Sequence, residues 1–337
     1  MKKSIKNNNK AGFTLIELLI AMTITAIVMA SLIAVFSAQQ ESYAVESEKA
    51  KHQSHARSAL YMMARDIKMA GYTGMALGGA NLASTGQAMP LIWIKDGSSV
   101  LSATSVDPAL TAAAEGDVIE VWGNFRREVS NLTVSAAPGN GSITIDNPGA
   151  FSGNGINRPG YVLIGNPRAG GEFEVELHTL TGYPAAGSTA TGVLQLGGVL
   201  TNTYVANEAL VAPYYRRIYY VSPNRLSPGL PGPTLAMRNC QNGPCSLGGS
   251  TVETEMAPGV SEIQFSYDLE NAAGQFQVQS GSFCDPCDVR GVNITLTTVT
   301  DWMREDNPII REHGTSVKVR NIGLDPNLND CPLSPCP

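Results

Sequence analysis

A continuous run of apolar residues lies close to the N-terminus. The segment from Phe13 to Phe36 holds 24 residues, and Glu17 is its only ionisable side chain. A helix rises ~1.5 Å per residue, so this segment covers ~30 Å or slightly more, which matches the hydrocarbon core of a bilayer. The pattern therefore predicts one membrane-spanning helix.

The helix is expected to continue beyond the apolar run. Residues 37–70 contain neither Gly nor Pro and are rich in Ala, Glu, Gln, Lys and Arg. Apolar residues recur along one helical stripe at Val45, Ala56, Ala59, Leu60, Met63 and Ile67. We therefore predict a single helix from about Thr14 to Met69, ended by Gly71, whose second half lies on a sheet.

From Gly74 onward, short apolar or alternating segments are separated by Gly, Pro, Asn and Ser. This pattern is typical of strands joined by turns. The predicted strands are residues 91–95, 117–122, 142–145, 161–164, 172–177, 192–196 and 216–221. The cleanest alternation comes later, at 263–269 and 292–296, after a proline-rich connector at 222–233. The fold class that follows is α+β, a long N-terminal helix packed on an antiparallel, β-rich head.

The charge pattern sets the expected orientation of the apolar helix. Lys2, Lys3, Lys6 and Lys10 precede it, so its N-terminal end should stay in the cytoplasm and the head should lie on the other side. A cleaved secretory signal peptide also begins basic and turns apolar. This run is longer than such a signal, no small-residue cleavage site follows it, and we expect it to be retained.

Glu17 needs an explanation, because a carboxylate in an apolar span costs roughly 2.5–3.5 kcal/mol and by default marks a functional position. The stretch Gly12-Phe13-Thr14-Leu15-Ile16-Glu17, followed by a long apolar helix, resembles the class III signal of type IV pilins and of type II secretion pseudopilins. The resemblance implies that a membrane peptidase cuts between Gly12 and Phe13 and methylates the new amine of Phe13. It also implies that Glu17 pairs with the Phe13 amine of a neighbouring subunit.

Elementary physics agrees with these implied roles. Gly12 has no Cβ, so its backbone can lie close inside a peptidase cleft. Opposite charges brought together in a dry bundle of helices relieve each other's desolvation, so Glu17 would act as a register device for assembly.

Two further stretches resemble PilW-type minor pilins. Residues 57–72, which include Arg65-Asp66-Ile67, are similar to the end of the PilW helix, and residues 259–267, 289–294 and 317–321 are similar to closing strands of PilW-type and J-type proteins. The resemblance implies a pilin αβ-roll with four parts: a leader at 1–12, a transmembrane and assembly half-helix at 13–36, an amphipathic half-helix at 37–71 and a periplasmic or extracellular head at 72–337.

The function implied is structural. A PilW-like minor pilin would sit in the inner membrane by one pass, with its head in the periplasm, until it enters the pilus in a priming or tip complex. Its partners would be other minor pilins and the major pilin, the prepilin peptidase, and the assembly platform and motor. Two alternatives stay open, namely a J-type pseudopilin of type II secretion and a tip-exposed adhesin or binding module.

Six cysteines form three close pairs: Cys240 with Cys245, Cys284 with Cys287, and Cys331 with Cys336. An even number in Pro- and Gly-rich settings outside the cytoplasm favours disulfides, and three local bridges are expected among about fifteen possible connectivities. A four-thiolate zinc site at the first two pairs is the alternative.

Composition and motifs indicate neither an enzyme nor a nucleic-acid binder. The net charge is −6, and the only basic and aromatic candidate for DNA is Arg216-Arg217 with its flanking tyrosines, where alternation places the two arginines on opposite faces. No nucleophile elbow, phosphate-binding loop or zinc-protease motif appears, and we expect no cofactor, metal or catalytic residue. Arg65 and Asp66 are interpreted as solvated or capping residues, and Asp325 to Asp330 as a turn rather than a calcium loop. The four histidines are scattered, and His52 and His55, which share a helix face, are interpreted as solvated helix surface.

Overall fold

The computed structural model describes residues 14–73, 92–95, 116–152, 158–167, 173–185, 190–222, 233–240, 251–270, 276–280, 289–300 and 309–318. The chain separates into two compact units, Met1–Lys51 and His52–Pro337. The helix α1 runs from Leu15–Lys68 and contributes to both. This agrees with the predicted helix to within one residue at each end.

The helix α1 ends next to Gly71, as the sequence predicted. Gly71 has φ +70°, a conformation that L side chains rarely adopt, and its amide donates to the carbonyl of Trp122 at 2.8 Å. The carbonyl of Met69 lies so close to Gly123 that a Cβ there would be 2.7 Å away. The helix end is therefore held directly against the end of a strand.

Fourteen strands follow within the described residues. They are β1 (Ile92–Lys95), β2 (Val118–Gly123), β3 (Ser130–Asn131), β4 (Ser142–Ile145), β5 (Tyr161–Pro167), β6 (Phe173–Gly182), β7 (Gly192–Leu196), β8 (Leu210–Ser222), β9 (Thr234–Cys240), β10 (Thr251–Pro258), β11 (Val260–Glu270), β12 (Phe276–Ser280), β13 (Val289–Thr300) and β14 (Ile309–Lys318). A short 3-10 helix lies at Pro148–Phe151. A long N-terminal helix followed by antiparallel strands is the predicted α+β fold, which is confirmed.

The strands form two sheets. The larger has ten strands with the path β1-β2-β8-β5-β6-β7-β4, to which β3, β9 and β10 are added, and the smaller has the order β12-β11-β13-β14. The 13-residue strand β8 organises the larger sheet, because its first half pairs with β3 and β5 and its second half with β2 and β9. The two sheets meet where Gly116 bridges to Ile263 and the Asp117 amide donates to the Ile263 carbonyl at 2.9 Å.

The predicted apolar stripe of α1 is buried from Ala56 to Ile67, whereas Val45 is only partly buried. The core that receives it combines both sheets, because it contains residues of β2, β8 and β9 from the larger sheet and of β11, β13 and β14 from the smaller. The helix members are Ala59, Leu60, Met63 and Ile67, and the strand members include Ile119, Tyr215, Tyr219, Ile263, Phe265, Tyr267, Ile294 and Leu296. The prediction that the closing strands pack on the helix is thus confirmed, and the larger sheet also takes part.

Candidate functional site

The first turn of α1 contains a reciprocal set of hydrogen bonds. The amide and the hydroxyl of Thr14 each donate to Oε2 of Glu17 at 3.0 Å, and the Glu17 amide donates to the Thr14 hydroxyl at 3.3 Å. This arrangement is a capping box, which satisfies backbone amides that the first turn of a helix leaves without partners. The spacing Thr-x-x-Glu could have revealed it from the sequence, but sequence reasoning considered only Glu17.

The capping box leaves part of the Glu17 carboxylate available. Both Thr14 donors bind Oε2, while Oε1 has no hydrogen bond among the described residues. The carboxylate is thus held in place by Thr14 through one of its two oxygens. Gly12 and Phe13, the predicted cleavage and methylation residues, lie outside the described residues.

The apolar part of α1 is exposed within the chain. Large side chains from Leu15 to Phe36 are each at least half exposed, and none of the most apolar window is buried inside the protein. In the described part of the chain, α1 is the one helix long and apolar enough to cross a membrane. Exposed apolar surface of this extent needs either lipid or other apolar helices around it.

Asp66 does not lie in solvent or at a helix cap, so that interpretation was wrong. Its side chain is fully buried, and Oδ2 accepts hydrogen bonds from Nη1 of Arg217 and from the hydroxyl of Tyr219, both at 2.5 Å. Arg65 is half exposed and contacts Oδ1 of Asp66 at 3.3 Å, as the solvated reading predicted for it. Asp66 therefore joins the end of α1 to the centre of β8.

Electrostatics within this buried group follow from its geometry. Burial acts to lower the pKa of Arg217, but the charge and hydrogen bond of Asp66, together with the neighbouring Tyr219 and Tyr215, outweigh it, so the pKa is raised. Burial, followed by the Asp66 charge, raises the pKa of Tyr219 well above its usual value. Arg217 therefore stays charged, and the neutral hydroxyl of Tyr219 donates to Asp66.

Arg216 also pairs with a buried carboxylate, that of Glu120 in β2, on the face of β8 opposite to Arg217. Its Nε and Nη2 donate to the two carboxylate oxygens of Glu120, each at 2.9 Å, and the indole of Trp122 donates to the same carboxylate at 2.5 Å. The two arginines do lie on opposite faces, as predicted, but both are buried and paired. They offer no exposed basic surface to a nucleic acid.

The other predicted chemistry has a mixed outcome. Cys240 is the only cysteine among the described residues, and it is disulfide-bonded to a cysteine outside them. The other five cysteines and the predicted turn from Asp325 to Asp330 lie outside the described residues. The described residues contain no group of three or more His, Cys, Asp or Glu that could hold a metal ion. His52 is not simply on the surface, because its Nδ1 lies 3.1 Å from the carbonyl of Pro258.

Comparison with known proteins identifies the N-terminal segment. Residues 7–33 match the family model of the prokaryotic N-terminal methylation motif. No curated protein and no solved structure matches the chain. The motif match, joined to the apolar helix that begins within it and the antiparallel head that follows, supports a type IV pilin-like prepilin.

Proposed function

We propose that this chain is a PilW-like minor pilin, a structural subunit of the priming or tip complex that initiates pilus assembly. The observation that carries the proposal is the methylation motif at residues 7–33, which contains the start of an apolar helix whose Glu17 keeps one carboxylate oxygen free. Cleavage between Gly12 and Phe13 would release the Phe13 amine, which is then methylated. Residues 1–12 are the leader in this proposal.

Assembly follows from the charges at the start of the mature helix. Glu17 is fixed by Thr14 and would meet the cationic Phe13 amine of a neighbouring subunit as apolar helices leave the lipid and bundle. In hydrocarbon an unpaired charge is costly, while an opposite charge within hydrogen-bond distance offsets that cost. The pair would therefore form only when the neighbouring helix has the correct register.

The minor-pilin assignment rests on the C-terminal part of α1 and on the head. The stretch that resembles PilW-type proteins includes Asp66, and this residue proves to hold the helix end to β8 through Arg217. The head, residues 72–337, is large for a subunit of a repeated shaft, where its bulk would crowd neighbours. A tip or initiating position accommodates it without that restriction.

The proposed location and partners follow from the same reading. The chain would cross the inner membrane once, with its head in the periplasm, before it is extracted into the pilus by the platform and motor. Its partners there would be the other minor pilins and the major pilin through their N-terminal helices.

The test compares Glu17→Ala with Glu46→Ala, which removes an exposed carboxylate of the same helix beyond the apolar run. Both variants should insert in the membrane and be processed, which mass spectrometry reads as an N-terminus at methylated Phe13. Only Glu17→Ala should be missing from sheared pili. Processing at another position, or normal incorporation of Glu17→Ala, would contradict the proposal.

Deletion of the chain separates the priming role from its alternatives. Loss of pili supports priming, whereas normal pilus number with lost surface binding indicates an adhesin. Normal pili with defective protein secretion indicate a J-type pseudopilin instead.

A further inference from the structure

Strand β14 is the outermost strand of the smaller sheet within the described residues. It pairs with β13 along ten positions, from Gly291↔Lys318 to Thr300↔Ile309, and no described strand pairs with its other side. Most of its residues are exposed, including Ile310 at 61%, and it contains no proline. A long strand edge without a bulge presents unpaired backbone donors and acceptors to another strand.

The register places two basic residues of β14 on the side that faces α1. Arg311 is opposite Thr298 and His313 is opposite Leu296, and both of these β13 residues are buried on the helix-facing side of the sheet. Arg57 of α1 lies close enough to act on the same histidine. The pKa of His313 is lowered, first by partial burial and then by the positive charges of Arg57 and Arg311.

This basic groove, defined as Arg57, Arg311 and His313, has no acidic counterpart in the described part of the chain. The guanidinium groups of Arg57 and Arg311 make no hydrogen bond or ion pair there. Glu312 stands between the two β14 residues, but strand alternation puts its side chain on the opposite face. The fold thus places the positive charges of Arg57 and Arg311 near the outer edge of β14, and a carboxylate between them would reduce their repulsion.

We propose that β14 and the adjacent flank of α1 form a docking groove for an extended, carboxylate-bearing segment of a different pilin-type subunit, which adds to the sheet as a strand. Backbone hydrogen bonds to β14 supply the affinity of such strand addition, and side-chain contacts supply the choice of partner. Here the carboxylates lie against Arg57 and Arg311. The inference rests on the proposed function only in taking the partner to be a fellow subunit.

Charge argues against a second copy of this chain as the occupant. Two β14 strands paired edge to edge would gather the cationic Arg57 and Arg311 of both copies along one interface. Like charges facing each other across an interface oppose binding, while an acidic segment is attracted. The same charges therefore block self-association and select the partner.

The test uses the full-length protein in its own cells, with a photo-crosslinking amino acid in place of Ile310. Strands in one sheet lie about 4.8 Å apart, so a docked segment is within reach of this side chain. Mass spectrometry then identifies the cross-linked peptide. The same cross-linker in place of Val193, an exposed residue of β7, is the control position and should give no such product.

Arg57→Glu combined with Arg311→Glu should lower the yield of the adduct at least about five-fold. Arg57→Lys with Arg311→Lys should retain most of it, and Arg127→Glu, an exposed arginine beyond β2, should leave it unchanged. The proposal is overturned if the cross-linked peptide belongs to the same chain, to a second copy or to a segment without carboxylates, or if no adduct forms. A missing adduct in pili that contain the protein refutes only the groove, whereas absence of the protein from pili refutes the proposed function.

Discussion

Removal of the Asp66 carboxylate is the sharpest test of how α1 is joined to the head. Asp66→Ala leaves the buried guanidinium of Arg217 without its counter-ion and the hydroxyl of Tyr219 without its acceptor. Breaking a buried ion pair from one side costs about 3–5 kcal/mol, because the remaining charge stays desolvated. For a domain of this size each kcal/mol lowers Tm by about 2–4 °C, so we expect a decrease of roughly 10 °C.

Thermal unfolding of the full chain in detergent micelles, followed by near-ultraviolet circular dichroism, measures the effect. Arg65→Ala is the matched control, because Arg65 contacts the same carboxylate from a half-exposed position and should cost less than about 1 kcal/mol. Asp66→Leu combined with Arg217→Leu should recover much of the loss, since no buried charge then remains. Equal Tm values for Asp66→Ala and Arg65→Ala would refute this account of the helix end.

Three further predictions concern the start of α1, its end and the far part of the larger sheet. Thr14→Val removes the capping box while keeping the side-chain shape, and should destabilise the first turn of α1 by about 1 kcal/mol. Hydrogen exchange of the first-turn amides should then be about five-fold faster, and an unchanged exchange rate at Glu17 would contradict this prediction. Gly71→Ala places a side chain at φ +70° and should destabilise the protein by about 1 kcal/mol, measured as a lower urea midpoint. Burial opposes the charged form of Glu176, but hydrogen bonds from Thr201, His178 and Asn202 together outweigh it and lower the pKa. The stability that this carboxylate adds is therefore present above its unfolded pKa and is lost as pH falls through its folded pKa. Glu176→Gln should therefore be less stable than the parent at pH 7, and in urea titrations the difference should shrink as the pH falls below about 4.

The helix and most strands could be predicted because their signals are local. The apolar stretch after Phe13 and the glycine at position 71 define α1, and the alternation at residues 263–269 and 292–296 defines the centres of β11 and β13. Each of these patterns depends on neighbours a few residues apart. The methylation motif is likewise a pattern of neighbouring residues, so the N-terminal signal can be recognised from the sequence alone.

Strands β9 and β10 and most of β14 were not predicted. Thr251–Pro258 contains two glutamates and a proline, and Ile309–Lys318 contains a glycine and several charged residues. These sequences have weak intrinsic strand preference, and pairing with β9 and β13 decides their conformation. The basic groove beside β14 was missed for the same reason, because Arg57 and Arg311 are 254 positions apart in the sequence.

The error over Asp66 has a physical cause that could have been found from β8. Sequence reasoning placed Arg216 and Arg217 on opposite faces, which is correct, but treated the strand as though solvent reached it. The two arginines stand between Tyr214-Tyr215 and Ile218-Tyr219-Tyr220-Val221, an unbroken apolar and aromatic run that indicates a strand buried on both faces. Arginine keeps its charge when buried, so each buried arginine requires its own carboxylate. Two such arginines therefore predict two buried acids on opposite sides of β8, and Asp66 and Glu120 are those acids.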